Sequence, residues 1–291
     1  MTKICVLMGG ISSEREVSLA SGAAVLKALR SEGFEVFVYD FDGIVSEFCD
    51  MIIREKPDLV FNILHGEYGE DGRVQGLLDM LHVHYTHSGF FASAACMDKS
   101  VAKSVLAMHG IKVPRGRVVS CGDFPFADFS VPYVLKPVAG GSSVDVHIVK
   151  EPIAAWPCAG DKALLEEYIP GRELTVAIFR GQAFGITEIV AASGFYDYDA
   201  KYKEGGARHV YPAELPFIES MRAVEIAERA YRIFGCSGLA RADFRYDGRD
   251  FYFLEMNTQP GMTPLSLAPE QASASGISFS KLCRMMVEDA L

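Results

Sequence analysis

The chain has 291 residues, 49% of them hydrophobic and 23% charged, with a formal net charge of −10. This is an ordinary globular composition, long enough for two or three domains. The acidic balance argues against a nucleic-acid surface, and no run approaches the roughly 18 apolar residues of a membrane span. In chain order, KICVLMGG reads as a buried strand ending in glycines. EREVSLASGAAVLKALRSEG reads as a helix, with Ser12 or Ser13 as N-cap and Gly33 as its stop. FEVFVYDFD is a second strand, the stretch from Val45 to Lys56 a helix, DLVFNIL a third strand and DGRVQGLLDMLH another helix. Continuous apolar strands alternating with helices predict a parallel sheet covered on both faces. Ligands of such sheets gather at the carboxyl ends of the strands, here the glycine-rich MGGISSE and LHGEYGEDG.

A second unit opens with the helix MDKSVAKSVLAMHG and continues as PYVLKPVAGGSSVDVHIVK, a strand, a glycine-serine loop and a strand. ALLEEYIPGRELTVAIFRGQAFGITEIV is β-rich, with turns at Pro170-Gly171 and Arg180-Gly181. YDYDAKYKEGGARHVYPAEL has no period and many charges, and its length predicts a functional lid. FIESMRAVEIAERAYRIFG is an amphipathic helix, and GLARADFRYDGRDFYFLEMN a hairpin around Asp247-Gly248.

Two stretches carry chemistry. In LKPVAGGSSV, Lys136 precedes glycines that let backbone N–H groups approach a phosphate, with serine hydroxyls as further donors. The pattern is not the Walker loop, in which Gly-Lys-Ser/Thr opens a helix. In the hairpin, Arg241 and Asp243 share one strand face, as do Glu255 and Asn257 on the next. If those faces meet, two carboxylates and an amide oxygen converge beside an arginine, a donor set for a hard divalent cation. The plainer alternative is a cross-hairpin ion pair with Asn257 as a turn former. Seven cysteines, scattered and without a C-x-x-C pair, argue against a disulfide framework or a zinc site and for free thiols in a reducing, cytoplasmic compartment. The N-terminal run ICVLM is too short for a signal segment.

The segments GGISSEREVSLASG, LHGEYGEDGRVQG, YTHSGFFASAACMDKS, LKPVAGGSSV, EEYIPGRELTVAI, YDYDAKY and EMNTQPGMTPLSL occur in one order. In this the chain resembles the D-alanine–D-alanine ligases of the ATP-grasp superfamily over nearly its whole length. The resemblance implies an α/β fold: an N-terminal doubly wound parallel-sheet domain (residues 1–96), then a two-part ATP-grasp α+β module (97–178 and 179–291). It implies a cytoplasmic ligase that joins two D-alanines for peptidoglycan precursor synthesis. ATP is co-substrate, and two Mg²⁺ ions, replaceable by Mn²⁺, are cofactors. No nucleic acid or membrane is involved, and a homodimer is left open.

Residue by residue, the resemblance gives Lys99 and Lys136 to the ATP phosphates, under a loop of Gly140, Gly141, Ser142, Ser143 and Val144. Glu166, Glu167, Tyr168 and Ile169 border the adenine, and Glu173 takes the ribose. Asp243, Glu255 and Asn257 hold the metals. Glu14 holds the first D-alanine's ammonium with His65 nearby, Arg241 and the Gly261 N–H act on the oxyanion, and Ser266 and Leu267 receive the second D-alanine. Tyr202, beside Lys201 on the lid, bonds to Ser142 and so links lid, loop and Glu14. The chain departs from the family pattern at Asp145 and His87, where glycine is usual. Asp145 either repels ATP or points outward from the next strand, the reading favoured here. His82 and His84 read as solvated or hydrogen-bonded residues two apart on a short strand, and His109, His147 and His209 carry no signal. Two alternatives stay open: D-lactate or D-serine as second substrate, and a nucleotide sensor without chemistry. The presence of Tyr202, Arg241 and Glu14 speaks for the ligase.

Overall fold

Among the described residues three sheets organise the chain, and the site lies where their loops meet. The computed structural model describes residues 1–126, 128–141, 144–191 and 206–291. The first sheet is parallel, in the order β2 (Glu35–Phe41), β1 (Lys3–Gly9), β3 (Leu59–Asn62), β4 (His84–Tyr85). Helices α1 (Arg15–Ser31), α2 (Val45–Glu55) and α3 (Arg73–Met80) connect its strands. Every residue of β3 is buried, as both-face coverage requires. Helix α1 begins at Arg15 with Glu14 in the cap position, not Ser12 or Ser13. The Ser12 hydroxyl is used differently: it accepts from Glu14 N and donates to His65 O at 2.7 Å, joining two strand-end loops. His82 and His84 do not share a strand. His82 closes the turn after α3 with φ +55, and only His84 enters β4.

Helices α4 (Phe90–Met97) and α5 (Lys99–Met108) follow, divided by Asp98. The Asp98 carboxylate caps α5 by accepting from Ser100 N and Val101 N, both at 2.9 Å. His87, before α4, is buried and takes φ +71, so the left-handed turn is kept without glycine. The second sheet is antiparallel, in the order β5 (Gly116–Ser120), β8 (Lys162–Glu167), β6 (Tyr133–Lys136), β7 (His147–Val149). The third is antiparallel too: β11 (Ala207–Val210), β10 (Gln182–Ala191), β9 (Arg172–Phe179), β12 (Leu239–Tyr246), β13 (Phe251–Asn257). Helix α6 (Phe217–Phe234) covers one face of this sheet, and α7 (Leu267–Ala274) and α8 (Phe279–Ala290) end the chain.

Two expectations are corrected. A boundary after residue 178 would pass through β9, whose whole length pairs within the third sheet; the sheets divide at the Pro170-Gly171 turn before it. The segment read as aperiodic contains β11, whose Ala207–Val210 pairs antiparallel with β10. The N-terminal sheet is also not a closed unit. Ile4, Val6, Val25 and Leu29 share one core with Leu282, Met286 and Val287 of α8. Likewise α4 and α5 pack Cys96, Ala102 and Leu106 into the core of the third sheet.

Candidate active site

Strand alternation supplies the first part of the site. Along β12 the buried residues Ala240, Ala242, Phe244 and Tyr246 alternate with Arg241, Asp243 and Arg245, which therefore share the other face. On β13 Phe251 and Phe253 are buried, and then the pattern shifts by one, so that Met256 is buried while Glu255 and Asn257 are not. A register shift after Asp243 accompanies this change. Such a bulge re-aims side chains, and here it turns Glu255 and Asn257 away from the core. In the resulting register Asp243 faces Glu255 and Arg241 faces Asn257. Arg241 forks onto Asp243, with Nε to Oδ1 at 2.9 Å and Nη2 to Oδ2 at 2.7 Å, and Thr175 Oγ1 donates to the same Oδ1 at 2.6 Å. Asn257 Oδ1 accepts from Gln259 N at 3.0 Å.

Lysines supply the second part. Lys99, the first residue of α5, donates to Gly140 O at 2.6 Å and lies 3.2 Å from Glu255 Oε2. It thus ties the glycine-serine loop to the carboxylate cluster. Lys136, at the end of β6, lies 2.8 Å from Glu166 Oε2. The other oxygen of Glu166 takes Lys103, one helical turn beyond Lys99. All three side chains of this cluster are buried. Burial raises Glu166, but the two lysines outweigh it and hold the carboxyl below its ordinary value. Burial, with the neighbouring Lys136 charge, brings Lys103 down to about 7. Arg245 donates to Ile169 O at 3.2 Å and Gly171 O at 2.7 Å, and reaches Glu173 Oε2 at 3.4 Å.

Two adjoining cavities are built on these groups. Lys136, Gly140, Gly141, Val144, Glu166, Glu167, Tyr168, Ile169, Glu173, Asp243 and Arg245 line the first, between the second and third sheets. Glu14, His65, Glu70, Asn257, Gly261 and Ser266 line the second, which reaches the strand-end loops of the first sheet. Lys99, Gly140, Gly141, Arg241, Glu255 and Leu267 belong to both walls. Gly141 lies close to Glu14: a Cβ there would come within 3.1 Å of Glu14 Oε2, so a larger residue would press on that carboxylate. Thr263 N donates to Ser266 Oγ at 3.1 Å, folding the loop before α7 around Gly261. His65 is buried, which lowers its pKa against the pull of Glu14. Burial, helped by Glu14, pushes Glu70 up to about 8, and its Oε2 accepts from Gly66 N at 2.5 Å.

A D-alanine–D-alanine ligase C-terminus model matches residues 125–288, and the N-terminus model of the same ligases matches residues 42–88. The D-alanine–D-alanine ligase of Paramagnetospirillum magneticum is 48% identical, with 99% of this chain and 98% of that protein covered. The chain belongs to the D-alanine–D-alanine ligase family. The ligase of Acidiphilium cryptum is 49% identical over 100% of this chain and 99% of its own length. Among solved structures, the Bacillus anthracis D-alanine–D-alanine ligase complexed with ATP superposes with a TM-score of 0.82 at 31% identity, covering 100% of this chain and 97% of that one. The VanG D-Ala:D-Ser ligase of Enterococcus faecalis gives 0.83 at 28% identity, covering 100% and 99%. The fold is therefore the α/β ATP-grasp arrangement of the family.

Four expected site residues of this ligase-family member, Ser142, Ser143, Lys201 and Tyr202, lie outside the described residues. Sequence reasoning missed Lys103, Glu70, Arg245 and His209. Lys103 carries a sequence signal, its i, i+4 spacing from Lys99. His209, read as carrying no signal, lines the second cavity, and its Nδ1 lies 2.8 Å from Glu270 Oε2. Asp145 is absent from both cavity walls. Its carboxylate lies 2.7 Å from His147 Nε2 and accepts from Ala159 N at 3.0 Å, while its neighbours Val144 and Val146 line the first cavity.

Proposed function

We propose that this chain is the ATP-dependent ligase that makes D-alanyl-D-alanine through an acyl phosphate, releasing ADP and phosphate. The observation that carries the reading is the shared wall of the two cavities. A nucleotide in the first and an amino acid in the second would meet at Lys99, Gly141, Arg241 and Glu255. Phosphoryl transfer asks mostly for positioning and charge neutralisation. Lys99 and Lys136 supply positive charge to the phosphates, and Gly140 and Gly141 supply close backbone approach. Glu173 takes the ribose hydroxyls, and the strand end from Glu167 to Ile169 borders the base.

Asp243, Glu255 and Asn257 offer oxygen donors only, in adjacent register. That donor set fits Mg²⁺, which supplies charge neutralisation and a template for the terminal phosphates when bound. Glu14 receives the ammonium of the first D-alanine. Once Arg241 is released from Asp243, its guanidinium serves the oxyanion together with the Gly261 N–H. Ser266 and Leu267 receive the second D-alanine. Tyr202 is proposed as the lid group that selects an amine over a hydroxyl nucleophile, a role that rests on sequence alone.

No described helix is long and apolar enough to cross a membrane. A cytoplasmic enzyme fits the seven free cysteines, and a homodimer is the proposed assembly, to be checked by sedimentation. The deciding experiment is phosphate release from ATP with D-alanine, beside L-alanine and no amino acid, with products separated by mass. Competition with D-lactate and D-serine belongs in the same assay. D-alanyl-D-alanine as main product is expected; a depsipeptide or a mixed dipeptide as main product, or ATP turnover indifferent to D-alanine, would overturn the reading.

A further inference from the structure

Directly after the glycine-serine loop lies a second set of metal donors, which belongs to neither cavity wall. Asp145 follows the loop directly, in the left-handed region with φ +58. Its Oδ1 lies 2.7 Å from His147 Nε2, at the start of β7. Cys158 completes the group: one carboxylate oxygen, one imidazole nitrogen and one sulfur all lie within 4.8 Å of one another. Cys158 is held in place by its core neighbours Val119, Tyr133 and Val149, while Trp156 Nε1 closes the adjoining turn on Gly160 O at 2.8 Å. The Asp145 and His147 side chains remain 21% and 34% exposed, so an ion and a water have a way in. Sequence spacing does not reveal this trio, because its cysteine comes from another segment than its carboxylate and imidazole.

The donor types decide the cation class. Mg²⁺ and Ca²⁺ take oxygen ligands, which describes the Asp243–Glu255–Asn257 cluster instead. Thiolate, imidazole and carboxylate together suit zinc, which accepts three protein ligands and an open fourth position. Bonds of about 2.0–2.3 Å around a tetrahedral ion hold its ligands roughly 3.3–3.8 Å apart, so the Asp145–His147 pair at 2.7 Å would open while the trio, within 4.8 Å throughout, closes on the ion.

We propose that Asp145, His147 and Cys158 form a site for one zinc-class divalent cation, which pins the outgoing end of the glycine-serine loop to the segment carrying Cys158. The charges balance. Cys158 releases its thiol proton to solvent, and neutral His147 presents Nε2 while keeping its ring proton on Nδ1. A divalent ion, a thiolate and a carboxylate then sum to zero, so the half-buried site carries no net charge.

Co²⁺ is the probe. The full chain, stripped with a chelator and free of nucleotide and Mg²⁺, is titrated with Co²⁺ while the near-ultraviolet spectrum is recorded. The expected result is a thiolate-to-cobalt charge-transfer band that saturates at one equivalent and is displaced by Zn²⁺. Co²⁺ at an oxygen-only site gives no such band, so the two sites are distinguished. Cys158→Ser is expected to abolish the band, and His147→Ala to reduce it with at least a tenfold loss of Zn²⁺ affinity by chelator competition. His147 lies outside the core, and unchanged circular dichroism of that variant separates ligand loss from misfolding. Absence of the band in the parent chain, or a band of parent strength in either variant, would overturn the proposal.

Discussion

Asp243 and Glu255 are direct cross-strand partners, and Lys99 reaches across to Glu255 at 3.2 Å. Two carboxylates in adjacent register repel unless cations lie between or beside them. Lys99 meets that need at Glu255 and Arg241 meets it at Asp243, and a divalent ion would take the arginine's place once its guanidinium leaves Asp243. Glu255→Gln keeps the shape and removes one charge. Turnover at saturating Mg²⁺ is expected to fall on the order of a thousandfold, the several kcal/mol that a metal clamp supplies. Circular dichroism should be unchanged. Near-normal phosphate release would remove Glu255 from the metal set.

Asp145 makes a contrasting case. Its carboxylate is committed to His147 and to Ala159 N and takes no part in the wall of the first cavity, where the nucleotide is proposed to bind. A like charge 4 Å from a phosphate would cost about 4 kcal/mol at an effective dielectric of about 20. Asp145→Gly, assayed without added zinc, is therefore expected to leave the KM for ATP within about twofold of the parent. A fall of about a hundredfold or more would place the carboxylate against the phosphates.

The buried trio of Lys103, Lys136 and Glu166 predicts an order of damage. Glu166→Gln leaves two buried lysines without their carboxylate and is expected to cost about 3–5 kcal/mol. Lys103→Met leaves the Lys136–Glu166 pair intact and fills similar volume, so it should cost less than about 2 kcal/mol. Urea midpoints of the two variants check the ranking. The reverse order would mean that Lys103, not Lys136, is the main partner of Glu166.

Glu70 predicts a pH dependence. Its ordinary value of 4.5 is raised to about 8 by burial and by Glu14. The folded chain then holds a proton that the unfolded chain has lost throughout that window. The contribution is fully present below pH 4.5 and declines as pH rises toward and through about 8. Glu70→Gln stays neutral, and its amide oxygen still accepts from Gly66 N. The variant is expected to match the parent in acid and exceed it in stability above pH 8. Parallel stability curves for the two chains across this range would contradict the assignment.

Much of the site was legible because strand alternation is a strict rule. Arg241 and Asp243 needed only their i, i+2 spacing on an apolar strand. Glu255 and Asn257 needed more. Without the register shift in β13, Glu255 would follow Phe251 and Phe253 into the core. Local pattern does not report a bulge, so the sequence argument reached the right face by a simpler route than the chain takes. The cap of α1 was misplaced for a related reason. Ser12 has the chemistry of an N-cap, and its oxygen does accept a backbone N–H, but that of Glu14, ahead of the first helical residue Arg15, while its proton joins it to the distant His65 O. Arg245 and Glu70 were missed because their partners come from other elements, which no local period announces. The helix α5 itself was legible, yet which of its lysines faces Glu166 depends on the placement of β8.

The packing of α8 against β1 and α1 has a consequence for synthesis. A growing chain completes its first parallel sheet early, but Ile4, Val6, Val25 and Leu29 obtain part of their cover only from Leu282, Met286 and Val287. Until α8 has left the ribosome, that apolar face stays wet and available to other nascent chains or chaperones. A transcript truncated just before α8 would yield a protein with both cavities nearly complete and its N-terminal sheet unsealed. Such a product is expected in the insoluble fraction, and a separately expressed α8 peptide supplied in trans would be the natural reagent to recover it.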